Sequence, residues 1–171
     1  MTRSVPILLR TLLLSVCMAA AVAHASETDD ARPTRLGVGL GYPIVVSVSI
    51  PDLFAPDVGL RVDGALSVFA PIVVDLGLEL AVSALYDDAS GIYAAAGPAL
   101  ALSGTAVLML RDMRPGTYLG ASAVIGYAFG GESMRFFVEA GASAGFRIAG
   151  DRDAPPTRVR PRVTVGLAFA F

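Results

Sequence analysis

Residues 72–86 read Ile-Val-Val-Asp-Leu-Gly-Leu-Glu-Leu-Ala-Val-Ser-Ala-Leu-Tyr. Taken alternately, Ile72, Val74, Leu76, Leu78, Leu80 and Val82 fall on one side, and Val73, Asp75, Gly77, Glu79, Ala81 and Ser83 on the other. A repeat of two belongs to an extended strand, since a helix repeats at about 3.6 residues. The residues that share a face with the two carboxylates are small. A soluble sheet covers its polar face with large hydrated side chains, whereas a narrow barrel in lipid puts bulky apolar groups outside and small residues with paired charges inside. The stretch fits the second arrangement.

Three other stretches repeat the pattern. Val58, Leu60, Val62, Leu66 and Val68 oppose Gly59, Arg61, Asp63, Ala65 and Ser67. Phe136, Val138, Phe146 and Ile148 oppose Arg135, Phe137, Glu139, Gly141, Ser143, Gly145 and Arg147. At the end of the chain, Val163, Val165, Leu167, Phe169 and Phe171 oppose Arg162, Thr164, Gly166, Ala168 and Ala170. In all of them the charges sit among Gly, Ala and Ser.

Extending the pattern predicts an all-β, up-and-down antiparallel barrel of eight transmembrane strands, at residues 36–50, 58–69, 72–86, 91–103, 105–111, 117–130, 134–149 and 158–171. Eight is the smallest usual closure, and a strand needs about 9–11 residues to cross hydrocarbon, which leaves 105–111 short. Placing both termini in the periplasm predicts outer loops at 51–57, 87–90, 112–116 and 150–157 and short inner turns at Ala70-Pro71, Gly104 and Gly131-Glu132. The outer set then holds Asp52, Asp57, Asp87, Asp88, Asp112, Asp151 and Asp153, against Glu132 alone inside. Phe69, Phe129, Phe136, Phe169 and Phe171 fall near the inner rim and Tyr86, Tyr93 and Tyr118 near the outer one, as interfacial girdles require. Pro43, Pro98 and Pro161 stand inside expected strands, each removing a ladder donor.

Residues 1–25 read as an export signal: Arg3 and Arg10, an apolar stretch over 11–22, and Ala23-His24-Ala25 before the expected cleavage. Residues 26–34 form a polar lead and 35–171 the barrel. Val16 is too bulky for a lipoprotein signal ahead of Cys17, so no lipid anchor is expected. Cleavage removes Cys17 and His24, the single Cys and His of the chain, which excludes disulfides, thiol chemistry and most metal sites and catalytic triads. It leaves 11 of the 13 basic residues, all Arg, against 15 acids, a poor balance for nucleic acid. A mean hydropathy of +0.65 is high for a soluble domain.

The last nine residues, Val-Thr-Val-Gly-Leu-Ala-Phe-Ala-Phe, resemble the closing strand of bacterial outer-membrane proteins, and the whole resembles the small OmpA/OmpX-type barrels in architecture. The resemblance implies outer-membrane lipid as surroundings. It also implies that Val163, Val165, Leu167, Phe169 and Phe171 are read by the barrel-assembly machinery.

Candidate site residues are the inward charges Arg61, Asp63, Asp75, Glu79, Arg135, Glu139, Arg147, Arg160 and Arg162. Charges in a low-dielectric lumen must pair, so their mixed signs predict an ion network plugging the interior. A turn at 69–71 sets Arg61 opposite Glu79, and pairing Gly130 with Ser133 sets Phe137 opposite Gly126. Gly37, Gly39 and Gly41 lack the spacing of a phosphate loop and read instead as inward residues leaving room for large neighbours. No nucleophile accompanies Asp75 and Glu79, so neither enzyme activity nor a cofactor is expected. The leading function is a structural or surface-interaction barrel displaying acidic loops. The alternatives are a narrow or gated channel, a soluble lipocalin-like binding barrel with an apolar interior, and a helical inner-membrane protein spanning at 91–110.

Overall fold

The structure, a computed structural model, describes residues 32–69, 73–107 and 114–171, with the side chains of 68–69, 73–76, 105–107 and 114 outside the description. Eight antiparallel strands follow one another round a closed ring: β1 (Arg35–Tyr42), β2 (Ile44–Ala55), β3 (Val58–Phe69), β4 (Val73–Asp87), β5 (Ile92–Val107), β6 (Arg114–Gly130), β7 (Met134–Gly150) and β8 (Thr157–Ala170). The seam runs from Arg35↔Ala170 to Tyr42↔Val163. Beyond it, the Phe171 N–H donates to the Thr34 carbonyl at 3.1 Å and the Ala170 N–H to the Ser133 carbonyl at 3.0 Å. Closure leaves no free edge, which is the condition for a sheet in hydrocarbon.

The fold class and the strand count match the sequence reading, but the division of the chain does not. The expected strand 36–50 is two strands, β1 and β2, folded back at Pro43. Leu36, Val38 and Leu40 point outward on one and Ile44 and Val46 on the other, so the alternation runs unbroken through the reversal and conceals it. Conversely, the expected strands 91–103 and 105–111 belong largely to one, β5, which continues through Gly104 as a partner of Leu76 and Pro115. Residues 92–107 are therefore extended, and among the described residues no helix is long and apolar enough to cross a membrane.

These two errors exchange the ends of several connections. Residues 56–57, 88–91 and 131–133 lie at the end holding Arg32 and Phe171, the terminal end, while Pro43, residues 151–156 and the strand ends Phe69, Val73, Val107 and Arg114 lie at the other. Asp52, Asp57, Asp87 and Asp88, expected opposite the termini, are beside them. The strand ends Phe69 and Val73, which flank the turn expected at Ala70-Pro71 on the terminal side, are at the far end; the turn itself lies outside the described residues, as do Asp112, residues 1–31 and hence the signal segment. Tyr86 and Tyr93 share the terminal end with Phe129, Phe136, Phe169 and Phe171, while β3 ends on Phe69 at the far one. The two-sided girdle is thus replaced by an aromatic collar at one rim, where Phe129 stacks on Tyr127 at 6.2 Å and on Phe136 at 5.7 Å. Tyr93 and Tyr118 point into the lumen, 6% and 3% exposed.

Two registers also differ. Arg61 faces Ser83, and Glu79 faces Ala65, because the β3–β4 ladder ends at Phe69↔Asp75. Phe137 faces Ala128, and Gly126 faces Glu139, because the β6–β7 ladder ends at Gly130↔Arg135. The prolines are accommodated in different ways. Pro43 is in a turn. At Pro98 the β4–β5 ladder opens between Ala81↔Ala99 and Ala84↔Ala96. Pro161 lies beyond the end of β1, whose last partner on β8 is Val163, so no strand on that side needs its donor.

The inner surface is built of aromatics laid over glycines. A Cβ on Gly39 would stand 3.1 Å from the Phe137 ring, and one on Gly166 2.5 Å from it. A Cβ on Gly126 would come within 2.3 Å of the Tyr93 ring. Overfilling such a site costs about 1–3 kcal/mol. Gly126→Leu is accordingly expected to lower the unfolding free energy by about that amount, and Tyr93→Ala in the same chain to recover part of it. Denaturant titration of the detergent-folded barrel, followed by far-ultraviolet circular dichroism, checks this; an equal loss with and without Tyr93 contradicts the packing.

Candidate functional site

Alternation in a closed barrel sends every second side chain into one narrow space, so charges far apart in sequence must meet there. Arg61 and Asp63 come from β3, Glu139 from β7 and Arg162 from β8. The Arg61 Nε donates to Asp63 at 2.8 Å and its Nη2 to Glu139 at 2.8 Å. The Arg162 Nε donates to Glu139 at 2.8 Å, its Nη1 to Asp63 at 3.1 Å, and its Nη2 also to Glu139. The four groups close a ring in which each cation touches both anions, and the formal charges cancel. Tyr93 on β5 donates its hydroxyl to Glu139 at 2.9 Å, and the Arg61 guanidinium lies over its ring, 5.5 Å from the centroid. Glu139 is 1% exposed, so its carboxylate is satisfied wholly by protein.

Nearer the far end, Glu79 accepts from the Ser143 hydroxyl at 2.6 Å. Arg160 shares this layer: a Cβ on Gly77 would lie 1.8 Å from its Nη2, so the glycine leaves the volume the guanidinium fills. On the terminal side of the ring, Leu85, Tyr93, Ala95, Val124 and Phe137 make an apolar layer. Cavities of about 50, 20 and 10 Å³ remain in the lumen, room for single waters or small clusters of them.

The remaining candidates lie apart from the ring. Arg135 is half-buried at the terminal mouth. Among the described residues Arg147 meets no carboxylate; its Nη1 donates to the carbonyls of Asp151 at 2.6 Å, Arg152 at 3.0 Å and Ala154. It therefore ties down the 151–156 loop, a role for which the chain pattern gave no cue. Asp75 is in β4 opposite Phe69 and Thr105, with its side chain outside the description. Val163, Val165, Phe169 and Phe171 face outward and are exposed, and Leu167 is half-exposed on the same face.

One cluster was not legible in the sequence. Arg32, within the polar lead, reaches back to the β2–β3 connection: its Nε and Nη2 grip the two Asp52 oxygens at 2.7 and 2.6 Å, and Nη2 also reaches Asp57 at 3.0 Å. Its Nη1 donates to the Asp87 carbonyl. Asp52 and Asp57 adopt left-handed backbone at φ 56° and 63°, and the Asp57 N–H donates to Asp52 at 2.8 Å. The hydrogen bond to Asp52, aided by the charges of Asp87 and Asp57, holds the Arg32 guanidinium above its ordinary pKa. In the turn at 88–91, the Ser90 hydroxyl and N–H hold the Asp88 carboxyl below its usual range.

Removing one member of a buried ion group strands the others, at about 3–5 kcal/mol. Glu139→Gln is expected to destabilise the folded barrel by about that amount. Arg162→Gln added to it should cost much less than it does alone, which a double-mutant cycle by chemical unfolding measures. Arg32→Ala, in a half-exposed cluster, is expected to cost about 1–2 kcal/mol and to speed proteolysis within 51–57. Unchanged cleavage there would show that Arg32 does not restrain the turn.

No protein family matches the chain, and no curated protein is similar to it. Among solved structures, the crystal structure of Neisserial surface protein A is similar at 15% sequence identity, covering 81% of this chain and 93% of that one with a TM-score of 0.48.

Proposed function

We propose that the chain is an integral outer-membrane β-barrel with a structural or surface-interaction role and no enzymatic activity, its lumen closed by the ion ring. The observation supporting this is the inversion of its two surfaces. Val163, Ile125 and Phe146 are 61%, 62% and 55% exposed, whereas Arg61, Asp63, Glu139 and Arg162 are at most 4% exposed. In water such an exterior far exceeds the few hundred Å² of apolar patch that soluble monomers show. In hydrocarbon it is the low-energy arrangement. A lipocalin-like barrel needs the reverse, an apolar interior, and the inward faces here are mainly polar or small.

Residues 1–25 direct export and are removed, both termini face the periplasm, and the barrel-assembly machinery reads the strand ending at Phe171. The connections 56–57, 88–91 and 131–133 are short, as periplasmic turns are, and 151–156 at the other end is longer, while the reversal at Pro43 on that end is the tightest among the described residues. The acidic display is smaller than the sequence suggested, since among described residues Asp151 and Asp153 are the carboxylates of the outer side. The kinship remains a resemblance to OmpA/OmpX-type barrels. Conduction is disfavoured because the ring spans the lumen and the cavities beside it are of water size.

Two measurements test the proposal. The mature chain is expected in the outer-membrane fraction, resistant to urea extraction, and its unboiled form should migrate differently from the boiled one in a detergent gel. Recovery as a soluble periplasmic protein contradicts it. Planar-bilayer recordings are expected to be silent for the native chain, and stepwise currents would establish the channel reading instead.

A further inference from the structure

We propose that the lumen binds a small organic carboxylate in the pocket at the terminal end, its charged group held between Arg35 and Arg135. This goes beyond the function proposed above and does not depend on which compartment that end faces. The lining of the cavity of about 50 Å³ includes Arg35, Asp87 and Arg135, with Leu85 and Phe137 one inward position deeper on the strands that carry Asp87 and Arg135.

Arg35 is the directing group. It is 6% exposed, and its Nη1 donates to Asp87 at 3.3 Å. Its Nε is buried with no hydrogen-bond partner among the described residues. Buried guanidinium N–H groups rarely go unmet, because each costs its full desolvation when unpaired. Arg135, half-buried at the mouth, makes no hydrogen bond or ion pair among the described residues, and it stands one strand away from Arg35, the two facing Ala168 and Ala170 of β8. Asp87, the carboxylate of the lining, is held by Arg35 at 3.3 Å and lies 3.9 Å from Arg32. The ring behind them is already neutral. Arg135 is thus the guanidinium of this mouth with no carboxylate at contact distance among the described residues.

A carboxylate supplies one charge and two oxygens in a plane, the shape a guanidinium edge accepts in two parallel hydrogen bonds. The apolar part of the lining argues for an organic anion: Leu85 and Phe137 accept an alkyl tail, while the Ser47 and Ser49 hydroxyls can donate to the oxygens of the charged group. The volume holds only a few water molecules, which limits the ligand to a short chain, of the acetate-to-butyrate class.

The test is a titration of carboxyl-labelled ¹³C-butyrate into the mature barrel in detergent, followed by NMR. Saturable binding is expected, with affinity reduced about ten-fold or more in Arg135→Gln, a loss of one charge-assisted contact. Inorganic phosphate at matched concentration should not displace the label. The boiled-against-unboiled gel shift checks that the variant is folded. If Arg135→Gln fails that check, Ala128→Leu, which narrows the pocket from another wall without touching a charge, is expected to abolish binding. Absence of saturation, equal affinity in a folded variant, or displacement by phosphate would each overturn the assignment.

Discussion

Four charged groups enclosed by strands whose outer face is apolar persist only if they neutralise one another at contact distance. That requirement, more than any single strand pair, specifies this barrel. Alternation alone forbids a slip of one residue, which would turn every charge outward. It does not forbid a slip of two, which keeps the parity and moves a side chain along its strand by about 6–7 Å. Such a slip in β3, β7 or β8 would carry Arg61, Glu139 or Arg162 out of reach of its partners, at the cost of uncompensated buried charge. The ring therefore supplies the register information that the hydrophobic pattern lacks.

The same narrowness governs the neutral part of the lumen. Eight strands leave an interior that side chains just fill, so each large inward group needs a vacancy beside it. Phe137 has Gly39 and Gly166, Tyr93 has Gly126, and Arg160 has Gly77. Small residues on the inward face are the complement of a few large ones. Tyr93 links the two systems, filling space over Gly126 while its hydroxyl completes the coordination of Glu139.

The sequence revealed which side of each strand faces out, because that depends on parity alone and parity is local. It revealed the ring's members but not their partners. Arg61 was set against Glu79 on the neighbouring strand, yet meets Glu139 across the lumen, a contact fixed by closure and not by any hairpin. Turn positions were the weakest part of the reading. A tight reversal at Pro43 preserves the alternation and left no mark, whereas Gly104, which looks like a turn, lies within a continuous strand. One missed turn and one surplus turn cancel in the strand count, so the number eight survived while Asp52, Asp57, Asp87 and Asp88 changed ends. Arg32 was illegible for a different reason: its partners are brought to it by the complete ring of strands.

The arrangement of charges also bears on how the seam is held. β1 is a short strand, Arg35–Tyr42, and its inward residues after Arg35 are Gly37 and Gly39, so it contributes nothing to the ion ring. On that side the wall is held by its ladders to β2 and β8 and by the Phe137 ring lying against its glycines. The charged contacts that β1 lacks along its length are gathered at its start, where Arg32 clasps Asp52 and Asp57 and Arg35 reaches Asp87. Because those carboxylates belong to β2, β4 and the connection between β2 and β3, the clasp ties the first strand to walls formed later in the chain. The ring can register β3, β7 and β8 without β1, and the clasp at the mouth fixes the strand that closes them.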